Sequence, residues 1–265
     1  MAEHSPENPV HSVERALAIL EALGRRSQGY GCTELGQLLG LHKSTVHRLV
    51  STLQAYGFAE KDPSTDRYKL GTKIMLLGLE ALNSLDFRKV AIPYMKELVE
   101  ISRETVQLAV LDGGEVLILE RDHSPEAITV NLGLRGQAHC TAEGKVLLAH
   151  QPAERTLEIL KKQEMRQYTI NTITEINQFI SHLDKVISQG FAINAEEMAE
   201  GVRAIAAPVF NHKGQVIAAL SITGPSSRLT LERIYRLVTV LKESCTSISM
   251  HLGYHSEVAE INNDK

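Results

Sequence analysis

The sequence predicts an α+β protein of two domains, in which a largely helical N-terminal part precedes a strand-rich C-terminal part. Up to about residue 103, and apart from one short hairpin, apolar residues recur at the three- and four-residue spacing of amphipathic helices. From Thr105 onward, β-rich stretches with Gly-containing turns are mixed with helical segments. That order is typical of an antiparallel sheet with helices packed on it. A chain of 265 residues is long enough to form two hydrophobic cores.

The composition is that of an ordinary globular protein, and it argues against several classes. The chain is 43% apolar and 23% charged, and its net charge of −4 disfavours a surface that coats nucleic acid broadly. The cysteines Cys32, Cys140 and Cys245 lie far apart without metal-ligand spacing, so we expect a reducing cytoplasm, no disulfide, no metal and no cofactor. The polar N-terminus lacks the apolar segment of a signal peptide. No apolar run approaches the ~20 residues of a membrane-spanning helix, so no membrane association is expected.

The stretch from Thr33 to Ala55 predicts a helix–turn–helix motif, around which the N-terminal domain is organised. A short helix, a tight turn at Gly40-Leu41 and a longer helix follow one another. The inward face of the second helix carries apolar residues at i, i+3, i+4 and i+7: Val46, Leu49, Val50 and Leu53. The opposite face carries hydroxyls and cations: Lys43, Ser44, Thr45, His47, Arg48 and Ser51. Such a face is suited to reading the major groove of DNA.

The charge pattern of the same region supports this interpretation. Leu35–Ala59 contains no Asp or Glu, although acids outnumber bases in the chain by 32 to 28. A helix in this window can approach phosphates without repulsion. The alternative is that the motif is only a packing unit with a solvated polar face. The elements that surround it favour DNA binding.

A first helix is predicted to precede the motif. Residues 1–9 are expected to be a disordered tail, and Ser12 is expected to cap the helix. Its predicted inward stripe consists of Val13, Ala16, Leu17, Leu20 and Leu23. Thr33 is expected to cap the next helix, the first of the motif.

A wing is predicted directly after the motif. Phe58–Lys61 and Arg67–Leu70 are predicted to form two short strands around a turn. The wing tip and Arg67 are then placed to reach phosphate or a minor groove, the alternative being a purely structural edge. The predicted DNA-contacting residues are therefore Thr33, Lys43, Ser44, Thr45, His47, Arg48 and Arg67.

The segment 72–86 is predicted to be a helix that links the two domains. Its apolar residues lie all the way round the helix: Ile74, Met75, Leu76, Leu77, Leu79, Leu82 and Leu85. Because such a helix must be covered on several sides, we expect it to be buried against a second subunit. The alternative is a central helix of the following domain. A further helix is predicted over Phe87–Arg103, with Pro93 tolerated near its first turns or marking a kink.

The C-terminal domain is predicted to contain two hairpins and several helices. The hairpins turn about Asp112-Gly113-Gly114 and about Asn211–Gly214, and residues 127–140 are expected to be extended. Helices are predicted at Ala142–His150, Ala153–Lys162, Ile173–Gln189 and Leu229–Leu252.

The last of these helices carries an apolar seam of alternating three- and four-residue steps: Leu231, Ile234, Val238, Leu241, Cys245, Ile248 and Leu252. We expect the seam to pack on the sheet of its own domain, with pairing to a second subunit as the alternative. Cys245 within the seam is expected to be a small buried hydrophobe rather than a nucleophile.

Five segments in this order resemble the IclR family of bacterial transcription regulators: LGLHKSTVHRLVSTL, FAEKDPSTDRYKLG, HCTAEGKVLLA, GFAINAEEMAEGVRAIAAPVF and IAALSITGP. The similarity covers nearly the whole chain. It implies a winged helix–turn–helix over residues 10–71, a linker helix over 72–86 and a GAF-like effector-binding domain over 87–265. It also implies a homodimer or homotetramer on a palindromic operator in double-stranded DNA, which controls catabolic genes as a repressor or an activator.

A candidate effector site lies at the start of the helix from Ala142. Thr141 can cap this helix and leave the backbone N–H groups of Ala142, Glu143 and Gly144 free, and a helix N-terminus favours a carboxylate. The resemblance implies that the positions of Ala142 and Glu143 touch the ligand through their backbone. It further implies that the remaining wall consists of Asn194, Ala204, Ser221 and Thr223. Ser221 and Thr223 are two residues apart on a predicted strand, so their hydroxyls face one side together.

Departures from the family pattern concern the charge of this site. Glu143 replaces a small residue and would repel an acid unless its side chain points away. Asn194 stands where some members have Asp. Arg203 is expected to pair with Glu197 or Glu200, the alternative being that it points into the site.

An enzyme is the rival class. His139-Cys140 would need the histidine to activate the thiol, but neighbours on a strand point to opposite faces. The sequence contains no Gly-rich phosphate loop, HExxH or GxSxG motif, so no catalytic residues are expected. A ligand-independent oligomeric DNA-binding protein is a third alternative. The sequence favours a ligand-responsive DNA-binding repressor of a catabolic operon that senses a small carboxylate, such as an oxo acid or a keto-deoxy sugar acid, with aromatic acids as further candidates.

Overall fold

The computed structural model describes residues 10–83, 86–131 and 133–254, and the statements below refer to these residues. The chain divides into two compact units, with the division between residues 84 and 85. The expected disordered tail, residues 1–9, and the end of the expected linker at residues 84 and 85 lie outside the described residues.

The N-terminal unit is a winged helix–turn–helix. Its elements are α1 (His11–Gly24), α2 (Cys32–Leu39), α3 (Lys43–Ala55), β1 (Ala59–Lys61), β2 (Tyr68–Leu70) and α4 (Thr72–Asn83). The strands pair antiparallel, with Ala59 opposite Leu70. A small core joins α1, α2, α3 and the hairpin: Ile19, Ala22, Leu23, Leu35, Val46, Val50, Ala59 and Tyr68.

The start of α1 and its buried face differ from the prediction. The N-cap is Val10, and Ser12 lies inside the helix, so the predicted Ser12 cap is wrong. Leu23 is buried as expected, but Val13 and Leu17 are 53% and 55% exposed. The core takes Ile19 instead, because α1 is apolar on two faces and only packing against α3 chooses between them.

The predicted Thr33 cap of α2 is also wrong. The helix begins two residues earlier than that cap implies, with Gly31 as its N-cap. The carboxylate of Glu34 accepts a hydrogen bond from the Gly31 N–H at 2.9 Å, which satisfies a donor that the helix itself cannot pair. Thr33 is an exposed residue of the first turn.

Helix α4 exposes large apolar side chains in the described chain. Met75, Leu76 and Leu77 are 59%, 50% and 41% exposed. A single helix with this much apolar surface in water is a candidate for burial against another surface.

The C-terminal unit is one antiparallel sheet covered by helices on both faces. Its strands are β3 (Thr105–Asp112), β4 (Glu115–Asp122), β5 (Arg135–Gln137), β6 (Ala192–Ala195), β7 (Val202–Phe210) and β8 (Val216–Pro225), in the order β5-β4-β3-β8-β7-β6. Its helices are α5 (Asp86–Ser102), α6 (Ala142–Ala149), α7 (Ala153–Lys162), α8 (Ile176–Gln189) and α9 (Leu231–His251). Pro93 lies inside α5.

The sequence analysis predicted that residues 127–140 form one extended stretch, and this prediction is wrong. In the described part of this stretch, residues 127–131 and 133–140, only Arg135–Gln137 form a strand, and Ala138–Cys140 form a 3-10 turn that leads into α6. The stretch has a β-rich composition, but composition does not determine how many residues pair with the neighbouring strand, and here the edge strand has three.

The two faces of the sheet carry separate cores. Along β8, Leu220 and Ile222 face α5 and α9, whereas Ala219 faces α6. The seam of α9 packs on the sheet of its own unit, as expected, although Leu231 at its start is 46% exposed. No helix within the described residues is long and apolar enough to cross a membrane.

Candidate functional site

The first candidate site is the outward face of α3. The chain turns sharply before it, because Gly40 adopts a left-handed φ of 65° and the Leu41 N–H donates to the Gly36 carbonyl at 2.9 Å. Val46 and Val50, both 0% exposed, fix the inward face of the helix. The opposite side therefore projects away from the core.

The projecting side chains border a shallow groove: His42, Lys43, Ser44, His47 and Arg48. The ring of His42 caps α3 and lies 2.8 Å from the Ser44 hydroxyl. No ion pair or side-chain hydrogen bond within the described chain engages Lys43, His47 or Arg48. Thr45 is half-buried. This face therefore presents cations whose charge is not compensated locally.

Arg67 is engaged within the domain, although the sequence placed it at a DNA-reaching wing. Its guanidinium donates to the Gly29 carbonyl and to the Glu34 carboxylate, both at 2.9 Å. These bonds tie the wing to the start of α2. In this arrangement Arg67 stabilises the wing rather than projecting from it.

The lysines of the wing form ion pairs with aspartates of the wing itself. Lys61 pairs with Asp66 at 2.7 Å, and Lys69 pairs with Asp62 at 3.4 Å. Hydrogen bonds from the side chain and backbone of Ser64 lower the pKa of Asp62 to about 2, so this carboxylate stays charged at neutral pH. The cations of the wing are thus compensated, in contrast with those of α3.

The second candidate site is a cavity in the C-terminal unit, between the start of α6 and the sheet. Its volume is about 30 Å³, room for little more than one water molecule. The wall includes the predicted cap Thr141 and four of the predicted effector-binding residues: Glu143, Asn194, Ala204 and Thr223. It also includes residues that the sequence analysis missed, among them Gln107, Arg121, Arg135 and Met198. Of these missed residues, Gln107 could have been found from the sequence, because it is a polar residue within the apolar run of β3.

The N-terminus of α6 is more fully engaged than predicted. The Thr141 hydroxyl accepts a hydrogen bond from the Gly144 N–H at 3.2 Å, so this N–H is not free for a ligand. Gly144 lies against the preceding 3-10 turn, where an added Cβ would come within 2.2 Å of the Ala138 carbonyl oxygen. Ala142 is fully buried.

Glu143 points into the cavity, not away from it. The Ser221 hydroxyl donates to its carboxyl group at 2.5 Å. Of the two hydroxyls predicted to bind the ligand, Ser221 and Thr223, the first is therefore bonded within the protein. Burial raises the pKa of Glu143, and the Ser221 hydrogen bond acts in the opposite direction. Thr223, two residues further along β8, lines the cavity.

Arg121 and Gln107 connect Glu143 to the opposite wall. The Gln107 amide, oriented to satisfy its neighbours, donates to Glu143 Oε1 at 3.2 Å and accepts from Arg121 Nε at 3.0 Å. Arg121 also donates to Asn131 Oδ1 at 2.9 Å and to the Gly133 carbonyl. Burial lowers the pKa of Arg121, and the charge of Glu143 opposes that shift.

Asn194 is hydrogen-bonded to the backbone of Glu197, whose carboxylate belongs to a buried ion pair behind the cavity. Its side-chain oxygen accepts from the Glu197 N–H at 2.8 Å, and the Glu197 carboxylate accepts from Lys145 of α6. The predicted pairing of Arg203 with Glu197 or Glu200 is wrong. Arg203 pairs with Glu196 at 2.8 Å, because Glu197 points inward to Lys145.

His139 and Cys140 do not form a nucleophile pair, but the reason differs from the one predicted. Both lie on the 3-10 turn rather than on a strand. His139 Nε2 lies 3.0 Å from the Arg166 carbonyl, and the Cys140 thiol donates to the Gln137 carbonyl. Burial raises the pKa of Cys140 to about 12, so the thiolate that a nucleophile needs does not form at neutral pH.

Comparison with known proteins assigns the family. Residues 12–63 match the model of the IclR helix-turn-helix domain, and residues 79–250 match that of the bacterial transcriptional regulator IclR C-terminal domain. The HTH-type transcriptional regulator KdgR of Dickeya chrysanthemi is 36% identical over 248 residues, which cover 93% of this chain and 81% of that protein. The chain belongs to the IclR family of transcription regulators.

Solved structures agree with this assignment and confirm the predicted fold class. The IclR protein of Thermotoga maritima superposes with a TM-score of 0.74 at 27% identity, over 93% of this chain and 100% of that one. An IclR homolog of Microbacterium hydrocarbonoxydans, complexed with 4-hydroxybenzoate, superposes with a TM-score of 0.80 at 28% identity, over 91% and 98% of the two chains. As an IclR-family member, the protein is a DNA-binding transcription regulator and not an enzyme.

Proposed function

We propose that this IclR-family protein is a repressor whose affinity for an operator is changed by a small carboxylate bound in the cavity beside α6. The observation that carries the proposal is a cavity with Arg121 in its wall in one unit and locally uncompensated cations on α3 in the other. The 4-hydroxybenzoate in the Microbacterium relative is itself a carboxylate, which supports the class of ligand.

On the DNA side, α3 enters the major groove. Arg48 and His47 lie near base edges, Ser44 and Thr45 contact bases or phosphates, and Lys43 contacts phosphate. Thr33 at the exposed first turn of α2 contacts the sugar-phosphate backbone. Arg67 acts by holding the wing in place, since its guanidinium is already bonded to Glu34.

The regulator acts as a homodimer or homotetramer on a palindromic operator. Two exposed apolar stripes of the N-terminal unit support this: Val10, Val13 and Leu17 around α1, and Met75, Leu76 and Leu77 on α4. Covering such stripes against a second copy removes apolar area from water and presents two copies of α3 to two half-sites.

The sign that we propose for the response is release of DNA. Two recognition helices at a fixed spacing fit an operator best in one arrangement, so a ligand that changes the arrangement releases the DNA and derepresses genes for its own catabolism. A tenfold change in DNA affinity requires a coupling free energy of only ~1.4 kcal/mol between the two sites.

The DNA-binding part is tested with a fragment selected by the wild-type protein from a random-sequence pool. Arg48→Ala should weaken binding by about 1–3 kcal/mol, which is roughly 5- to 150-fold, if Arg48 is bidentate to a guanine. Arg236→Ala, which removes one exposed cation from the other unit, is the matched control and should leave affinity unchanged. Equal affinities for Arg48→Ala and the wild type at fixed salt would remove Arg48 from the interface.

The effector part is tested by titrating the same complex with oxo acids, sugar acids and aromatic acids. We expect at least one carboxylate to lower DNA affinity about tenfold. A complex that ignores every acid would instead indicate a ligand-independent DNA-binding protein.

A further inference from the structure

The histidine that precedes α3 contacts the backbone and the hydroxyl of Ser44 through one ring atom. His42 Nδ1 lies 3.4 Å from the Ser44 backbone nitrogen and 2.8 Å from Ser44 Oγ. The backbone N–H groups of Thr45 and Val46 instead donate to the His42 carbonyl, at 2.9 and 3.1 Å. Of these three N–H groups in the first turn of α3, that of Ser44 therefore has the imidazole as its partner.

The Ser44 N–H determines which ring nitrogen of His42 carries a proton. A backbone N–H can only donate, so Nδ1 must be an acceptor at this position. A proton on Nδ1 would face the hydrogen of the Ser44 N–H, remove the cap of α3 and leave a donor of the first turn unpaired. His42 Nδ1 is therefore the unprotonated nitrogen of the ring, and the Ser44 hydroxyl is the donor in the 2.8 Å contact.

This contact leaves the Ser44 oxygen only its capacity to accept hydrogen bonds. A serine hydroxyl has one proton to donate and two lone pairs that accept, and here the proton is used on His42. The hydroxyl belongs to an exposed residue that borders the groove on the outward face of α3, one helical turn before Arg48. A partner that enters this groove therefore meets an acceptor at Ser44, where a free serine hydroxyl would offer either role.

Hydrogen-bond donors in the major groove of DNA belong to only two bases. Adenine presents its N6 amino group and cytosine its N4 amino group, whereas guanine and thymine present the acceptor atoms O6 and O4. Every base pair thus has an amino group on one strand and a keto group on the other. A hydroxyl that can only accept therefore distinguishes the two orientations of a base pair, rather than A·T from G·C.

We propose that the Ser44 hydroxyl accepts a hydrogen bond from the exocyclic amino group of an adenine or a cytosine in the operator, and that His42 is the positioning residue that fixes this polarity. The inference rests on the proposed function, in which α3 enters the major groove, and it assigns one class of base to Ser44. Phosphate oxygens accept hydrogen bonds and donate none, so a hydroxyl that can only accept gains nothing from contacting them.

The test measures the affinity of the full-length protein for a fragment that the wild type selects from a random-sequence pool, and for every single base-pair change of that fragment. In each half-site we expect one position at which A or C on one strand binds at least about fivefold more tightly than G or T. Ser44→Ala should lose the preference at that position and keep the preferences at all others. Ser181→Ala, at an exposed serine of α8 in the other unit, is the matched control and should bind as the wild type does.

Modified bases at the same position test the polarity of the hydrogen bond. Purine in place of adenine, or pyrimidin-2-one in place of cytosine, lacks the amino group and should weaken the wild type at least about fivefold more than it weakens Ser44→Ala. A 7-deaza purine in the same base pair lacks the acceptor N7 and should affect the two proteins equally. A 7-deaza purine that weakens only the wild type would show that the Ser44 hydroxyl donates.

Variants of His42 distinguish a positioning role from a merely structural cap. His42→Ala removes the acceptor, so the Ser44 hydroxyl becomes free to donate or accept, and the preference for amino bases should fall below about twofold. His42→Asn supplies a side-chain oxygen that accepts hydrogen bonds, and Asn is a favoured N-cap, so this variant should retain the preference. Loss of a cap alone would weaken binding to every sequence by the same factor and leave the ratio between bases unchanged.

Three further results would overturn the inference. If Ser44→Ala changes no base preference, or loses a preference for G or T, the hydroxyl does not accept from an amino group, while weaker binding by Arg48→Ala would keep the proposed regulator intact. An unchanged base preference in His42→Ala would show that His42 only caps the helix. If the wild type selects no fragment from the pool, the proposed function fails together with the inference.

Discussion

At the scale of single residues, α6 buries two ionisable side chains. Glu143 faces the cavity, and Lys145, two residues later, is 0% exposed on another side of the helix. Lys145 donates to the Glu197 carboxylate and to the Ile193 carbonyl. Burial lowers the pKa of Lys145, and Glu197 opposes that shift. Because Glu197 also donates its N–H to Asn194, this ion pair positions one wall of the cavity.

Removing one partner of this pair should be costly, because the other charge is left buried. We expect Lys145→Met to lower the free energy of unfolding by about 3–5 kcal/mol in urea titrations. Lys145→Met/Glu197→Gln should recover much of that loss. Lys242→Met, at an exposed lysine that bonds within the described residues only to the Gln189 carbonyl, should change stability by less than about 0.5 kcal/mol. A double variant as unstable as the sum of the two singles would show that the two residues do not act as a pair.

At the scale of elements, the site depends on how closely α6 approaches the sheet. The helix is buried all round, and the sheet positions beneath it are small: Ala109, Ala192, Ala204, Ala206 and Ala219. Gly144 allows the same close approach on the side of the 3-10 turn. The N-terminus of α6, and with it Glu143, is therefore fixed by packing on both sides.

Gly144→Ala tests this packing. The added methyl group would lie 2.2 Å from the Ala138 carbonyl oxygen, so α6 or the turn must move. We expect a loss of at least about 2 kcal/mol in the free energy of unfolding. Gly24→Ala, where the added group meets only Leu70 at 3.7 Å, should be tolerated. Similar stability for the two variants would show that α6 is less tightly held than the structure indicates.

At the scale of the whole molecule, the apolar stripes of the N-terminal unit are the strongest sign of assembly. Leu17 on α1 and Met75 on α4 are more than half exposed, at 55% and 59%. Isolated apolar residues on a surface are ordinary, but several exposed on one helix mark an interaction surface.

Charge placed in both stripes should separate the subunits. We expect Leu17→Glu/Met75→Glu to have a monomer mass in light scattering at concentrations where the wild type is a dimer or larger. Its DNA affinity should fall as well, since two linked half-site contacts become one. Ile170→Glu, at a lone apolar residue that is 89% exposed, should keep the wild-type mass. An unchanged mass for the double variant would place the assembly surface elsewhere.

The sequence by itself determined the elements whose pattern is local. The three- and four-residue spacing of Val46, Val50 and their neighbours decided which side of α3 faces the core, and Gly113-Gly114 marked a hairpin. Helix periodicity and turn chemistry depend on residues close together in the chain, so one sequence is enough to read them. The sequence could not choose between two apolar faces of α1, since that choice depends on what packs against them.

Only the tertiary structure decided the charge of the two sites. Arg67 is neutralised by Glu34, 33 residues away, and Ser221 is taken by Glu143, 78 residues away. Gln107 and Arg121 reach the cavity because β3 lies between β4 and β8 in the sheet. Strand order brings together residues that no local spacing relates, and a hydrogen bond then decides whether a charged group faces its own fold or a ligand.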